Sequence, residues 1–303
     1  MSLLVPTLRD RHDAHGDLEE DEKYYSLLEE LPWEFTPVQG FFKQTDDTTN
    51  DMDFRYTEDD FGILDTWSNL IVKLNKLNDN CPENVCYKLV FFARHGQAQS
   101  NVASQKYSKE EWMSKWRFLG TDGELVWGPD ADLTELGLNQ AKENHQAWKL
   151  QLAKGAPYPE KFYVSPLKRS IKTHFITWPE SKPLVVENLR ETIGLHLCHK
   201  RSTKSSLQQR FPELVFDDSF TENDILFDKY LPRREHLHEQ FLRINGVLQD
   251  IFNTDADKQV ICITSHAGTI RSFITVLGHR KFTIPTGGMI PIVIKGTKKR
   301  EQK

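Results

Sequence analysis

Short apolar runs alternate with amphipathic ones along most of this chain, and that alternation restricts the folds open to it. YKLVFFA (87–93), KFYVSPL (161–167), PLVVENL (183–189) and QVICITSH (259–266) each read as a brief buried strand. They are rich in β-branched and aromatic residues and are bounded by polar or turn-forming ones. Between them lie helical patterns. DADLTELGLNQAKENHQAWKLQLAKG offers Thr134 as an N-cap and Gly155 as a stop, and KRSIKTHFITW and TIRSFITVLG follow later strands. Upstream, Ile63, Trp67, Leu70, Ile71 and Leu74 recur at three- and four-residue steps and predict a helix ending near Asn78 to Pro82. GMIPIVIKG reads as a last strand, placed at a sheet edge by Pro291. Strands alternating with helices predict an α/β fold, a three-layer α/β/α arrangement with a mainly parallel central sheet.

Two polar stretches, about 103–130 and 195–240, break the alternation and are expected to form inserted cap loops over a site. Residues 1–60 form an acidic, aromatic-dotted extension expected to wrap the body, its first twenty or so residues mobile. The main domain is assigned to 61–296 and a basic tail to 297–303. A net charge of −5 and the lack of a basic stripe argue against nucleic acid as a partner. No run approaches the roughly 20 apolar residues that span a bilayer, so no membrane partner is expected. The N-terminal apolar run is too short for a secretory signal and there is no Asn-x-Ser/Thr sequon, which together predict a cytoplasmic location. Cys81, Cys86, Cys198 and Cys262 lack zinc-ligand spacing and are expected as free thiols.

In a parallel α/β sheet, ligands bind beyond the carboxyl ends of the strands. Polar clusters fall at that position here: Arg94-His95-Gly96 after the first strand, Ser165 to Arg169 after the second, Arg190-Glu191 after the third, and His266-Ala267-Gly268 after the fourth. Arg94, Arg169, His95, His266 and Glu191 together suit a phosphoryl group. Arginine matches phosphate oxygens with a planar charged fork, a neutral imidazole attacks phosphorus, and a carboxylic acid protonates the departing oxygen. Gly96 would let the backbone approach the ligand closely.

Four motifs carry a resemblance. RHGQAQSN, DADLTELGLNQA, VSPLKRSIKT and TSHAGTIRS resemble, in order, the signature segments of the histidine phosphatase superfamily, the phosphoglycerate-mutase-like proteins. LRETIGLHLCHKRS is similar more narrowly to the fungal and plant phosphoglycerate-mutase-like, or phosphomutase-like, phosphatases. The resemblance implies a histidine phosphatase type fold, with His95 as the nucleophile that becomes phosphohistidine. It implies Arg94 and Arg169 as the phosphoryl clamp, His266 as a further phosphoryl-binding and stabilising group, and Glu191 as the proton donor. Asn101 is open between a phosphate contact and a helix cap, and an exposed Arg190-Glu191 pair after the strand is the lesser alternative for Glu191. No metal or cofactor is required by such a mechanism, and the partner implied is a small phosphorylated metabolite.

One departure stands out. His199 occupies a position that resembles an aspartate position in the family, beside Lys200 and Arg201. His199 and Arg201 are therefore expected to influence substrate range. RHGQAQSN lacks the Trp-Asn of glycolytic mutases, which favours a phosphatase acting on phosphate monoesters at acid to neutral pH. A phosphomutase or phosphotransferase using the same histidine is the alternative, and a non-catalytic phosphate-ester-binding regulatory protein is a third reading. Histidine pairs 196/199 and 236/238 invite a metal reading that the sequence spacing does not support. The sequence says nothing about oligomeric state.

Overall fold

The structure is a computed structural model and describes residues 1–16, 18–28 and 31–299. Its helices, among the described residues, are α1 (Leu8–His15), α2 (Leu18–Leu27), α3 (Trp67–Asp79), α4 (Gln99–Lys106), α5 (Lys109–Ser114) and α6 (Glu135–Ala153). They continue with α7 (Lys168–Thr177), α8 (Lys204–Arg210), α9 (Ile225–Lys229), α10 (Leu237–Thr254) and α11 (Ala267–Leu277). The strands are β1 (Trp33–Pro37), β2 (Val85–Arg94), β3 (Lys161–Val164), β4 (Leu184–Val185), β5 (Val215–Phe216), β6 (Val260–Ser265) and β7 (Met289–Lys298).

These strands form one seven-stranded sheet in the order β1-β7-β2-β6-β3-β4-β5. The run from β2 to β5 is parallel, and β7 is antiparallel to both β1 and β2. Alternation along β2 sends Val90 and Phe92 to one face and Leu89 and Phe91 to the other. Val90 and Phe92 pack with Phe241, Ile244, Leu248 and Phe273 of α10 and α11. Leu89 and Phe91 pack with Trp67 and Leu70 of α3 and Trp148 of α6. Two apolar layers on one sheet are the expected three-layer α/β/α arrangement, each buried Leu or Phe stabilising it by about 1.5–3 kcal/mol.

Helix boundaries follow the local chemistry. The Thr134 side chain accepts from the Gly137 N–H to start α6, and Gly155 (φ 91°) follows its end in a conformation that favours glycine. The Thr66 side chain caps α3 in the same way, three residues after the expected start.

Several expectations need correction. β7 is not an edge strand: β1, a segment of the N-terminal extension, covers it. β1 pairs with β7 only as far as Ile294, so at Pro291 one side of β7 has no ladder in which an N–H is needed. PLVVENL yields just two strand residues before a 3-10 turn at Glu187–Leu189. The long helix α10 was not anticipated, although Leu237, Phe241, Ile244, Leu248 and Ile251 recur at helical steps. The first twenty residues, expected to be mobile, contribute α1 and the start of α2, with Leu4 buried in the core. Of the expected basic tail, Thr297 and Lys298 belong to β7 and residues 300–303 lie outside the described residues. Among the described residues, no helix is long and apolar enough to cross a membrane. All four cysteines are free.

Candidate active site

Parallel pairing of β2 with β6 sets Arg94 opposite Ser265. His95 and His266 are therefore the next residues on two adjacent strands, and their rings lie 5.0 Å apart between centroids. β3 adjoins β6 on the other side, and beyond it the first turn of α7 delivers Arg169. Its Nε donates to His95 Nε2 at 3.2 Å, and its Nη1 donates to the Cys198 carbonyl at 3.0 Å.

The tautomers follow from the partners. His95 Nδ1 sits 2.7 Å from the Gly96 carbonyl, which can only accept, so Nδ1 carries the proton and Nε2 keeps its lone pair. His266 Nε2 faces the hydroxyls of Ser165 and Ser170 at 2.7 and 3.2 Å, while its buried Nδ1 has no partner among the described residues. With Ser165 donating to Nε2, Nδ1–H is a donor held ready for an anionic oxygen. Both rings are pushed well below the usual imidazole range, first by burial and then by the Arg169 charge, with Arg94 adding to the effect on His95.

Glu191 accepts from the backbone N–H of Gly268 at 3.3 Å and of Thr192 at 3.0 Å, which sets its carboxylate at the N-terminus of α11. It lines a cavity of about 390 Å³ together with Arg94, His95 and Arg169. The fold thus gathers Arg94, His95, Arg169 and Glu191 around one hollow, with the His266 ring edge-on against that of His95.

Other anticipated residues are placed differently. Arg201 does not reach the cavity. It is buried, pairs with Glu187 at 2.8 Å, and donates to the carbonyls of Ser202, Thr221, Glu222 and Asn223, so it ties the inserted segment together. Gly96 donates its N–H to Thr173 Oγ1 at 3.0 Å, and a Cβ on it would lie 2.4 Å from the Gly137 carbonyl oxygen. The glycine is needed for close approach to α6 rather than to a ligand. Asn101 lines the cavity, and its Oδ1 also accepts from the Ala98 N–H at 2.8 Å, so the helix-cap reading applies. His199 does line the cavity, donating from Nδ1 to the Thr192 carbonyl at 2.8 Å. Arg190 points inward and grips Asp224 with two bonds of 2.6 and 2.8 Å.

Sequence reasoning missed Asp10, whose Oδ1 lies 2.6 Å from Arg94 Nη1. Thr7, Arg9, His12 and Asp13 of the same segment also line the cavity. No local pattern marks a short charged helix some 84 residues upstream of Arg94 as part of this site. Ser165 and Ser170, by contrast, lie inside the VSPLKRS motif and were open to a role in holding His266.

The family model for the histidine phosphatase superfamily (branch 1) matches residues 90–285. The chain belongs to the histidine phosphatase superfamily. A probable phosphoglycerate mutase of Arthroderma benhamiae is 34% identical over 285 residues, covering 86% of this chain and 84% of the relative. Phosphomutase-like protein 3 of Candida albicans is 39% identical, covering 68% of this chain and 65% of the relative. A probable phosphoglycerate mutase of Saccharomyces cerevisiae is 30% identical, covering 70% and 80%. For a histidine phosphatase, the expected fold and the expected motifs thus stand together on one chain.

Proposed function

We propose that this protein is a phosphatase that hydrolyses phosphate monoesters through a phosphohistidine on His95. The observation that carries the reading is the His95 ring itself, with its Nδ1 proton committed to the Gly96 carbonyl and its Nε2 lone pair held 3.2 Å from the Arg169 guanidinium. In the first step Nε2 attacks phosphorus, the ester P–O bond breaks, and protonated Glu191 gives its proton to the leaving oxygen. In the second, Glu191 takes a proton from water as the water oxygen attacks phosphorus, the N–P bond breaks, and phosphate departs. Arg94, Arg169 and the free Nδ1–H of His266 stabilise the equatorial oxygens in a water-poor setting where such contacts are strong. Asn101, which lines the cavity while its Oδ1 caps α4, would add a phosphate contact through its amide N–H.

The experiment is rapid-quench trapping with a phosphate-labelled monoester. It should yield an acid-labile, base-stable phosphoenzyme that is absent from His95→Ala. No label on the wild-type chain would overturn the reading.

A phosphomutase is the second reading, favoured by the names of the Arthroderma and Saccharomyces relatives, each a probable phosphoglycerate mutase. It uses the same phosphohistidine but passes the group to a second substrate oxygen. Turnover in ¹⁸O-water separates the two. A phosphatase releases inorganic phosphate bearing the label, whereas a mutase returns an isomerised ester without it.

A further inference from the structure

The histidine pair 236/238 has no task in phosphoryl transfer, and neither ring lines the catalytic cavity. Two histidines at i and i+2 point to different sides of a helix, so their spacing alone promises no shared ligand. The fold removes that obstacle. His236 is the N-cap of α10, with φ −72° and ψ 155°, and so stands just outside the helix. Its ring stacks on that of His238 at 5.3 Å, with the planes 20° apart.

A carboxylate arrives from the far end of the chain. Glu20, in α2, accepts at Oε2 from the backbone N–H of His238 at 2.9 Å and lies 2.7 Å from its Nδ1. Burial pushes the Glu20 carboxyl up, but the two bonds from His238 outweigh it and hold the group below its usual range, so it is ionised. One ligating atom from each of Glu20, His236 and His238 lies within 4.8 Å of the other two. His238 is buried and fixed, whereas His236 is exposed and free to turn.

Two imidazoles and a carboxylate suit a borderline dication, and zinc takes such a set with water in a fourth position. Zinc at about 2.0–2.2 Å from each ligand holds its ligand atoms about 3.3–3.5 Å apart. The cluster therefore closes by roughly 1–1.5 Å at its widest, which a turn of the His236 side chain supplies. At His238 the metal takes the place of the Nδ1 proton, which moves to Nε2 and leaves Nδ1 its lone pair.

The surrounding charges allow this. The N-terminus of α10 by itself repels a cation, and the ionised Glu20 offsets it. Neighbouring cations are engaged: Arg233 grips Glu239 with two bonds of 2.6 Å, and Arg243 pairs with Glu235 at 2.7 Å. Arg234 lines the catalytic cavity. The other histidine cluster differs. His196, Cys198 and His199 have ligating atoms equally close, but the charges of Arg169 and Arg234 act on Cys198, and a dication there would be repelled.

We propose that Glu20, His236 and His238 form a zinc-binding site that staples the N-terminal arm onto α10. None of the three lines the catalytic cavity, so the site stands or falls independently of the phosphoryl-transfer reading.

The test uses the full chain, stripped with EDTA and titrated with zinc against a chromophoric chelator, with magnesium as the comparison. The wild type should take up one zinc ion per chain at this site, and magnesium should not displace it. His236→Ala, which removes an exposed ring and leaves the fold intact, should weaken zinc by about tenfold or more, and Glu20→Gln should do the same. His145→Ala, on α6, should bind as the wild type does. Zinc should also raise the melting temperature of the wild type and not that of His236→Ala, since only a bound ion stabilises the fold. No zinc uptake by the wild type, or uptake that survives in His236→Ala, would overturn the site. Loss in Cys198→Ser instead would move the metal to the other cluster.

Discussion

The Asp10 carboxylate lies 2.6 Å from the Arg94 guanidinium, and both side chains are almost sealed from solvent. An anion from the N-terminal helix thus holds the arginine that the reaction assigns to a phosphoryl oxygen. Burial raises the Asp10 carboxyl, but the charge of Arg94 and the bonds from Thr7 outweigh it and leave the group below its usual range. Asp10 is therefore ionised, and its charge competes with phosphate for Arg94.

Asp10→Asn should accordingly lower stability, since a buried charge without its partner costs about 3–5 kcal/mol. Inorganic phosphate or vanadate should restore more of the melting temperature in this variant than in the wild type, because the ligand replaces the lost carboxylate. Thermal unfolding with and without the anion reads this directly. An equal shift in both proteins would mean that Arg94 does not meet the ligand.

If Glu191 protonates the leaving oxygen, its importance depends on the ester. Glu191→Gln should reduce kcat by about 10²–10⁴-fold for alkyl phosphates and far less for 4-nitrophenyl phosphate, whose leaving group needs no proton. Uniform loss across leaving groups would make it a binding group instead.

Acid should unfold this protein through its buried histidines. Burial lowers His174 to about 3, where its nitrogens meet the Thr264 and Ser181 hydroxyls, and His196 to about 3 as well. An unfolded chain protonates these rings near pH 6.5. The unfolded state then binds more protons between about pH 6.5 and 3, so stability held above that window is lost as pH falls through it. Each ring contributes a slope of about 1.4 kcal/mol per pH unit. Denaturant titrations from pH 7 to 4 should show His174→Gln with a shallower slope than the wild type. Parallel slopes would show that His174 titrates normally in the fold.

Gly137 marks where α6 touches the loop that carries the nucleophile. A Cβ there would fall 2.1 Å from the Gln97 carbonyl oxygen, backbone against backbone. Gly137→Ala should destabilise the protein by about 1–3 kcal/mol and lower kcat together, since the displaced loop begins beside His95. Normal stability and kcat would show that the contact opens without cost.

The sequence by itself determined the strand and helix alternation, the ends of α6, and the four polar clusters after the strands that carry Arg94, Arg169, Glu191 and His266. Those features are local: periodicity, a capping threonine, a stop glycine, and polar residues placed where a parallel strand must finish. Only the tertiary structure decided that Asp10 grips Arg94 across 84 residues of chain. The same holds for Arg201 turning away from the cavity, for β1 covering β7, and for Glu20 meeting His238. Such meetings depend on how the inserted segments and the N-terminal helices pack, and neighbours in space that are remote in sequence leave no periodic trace to read.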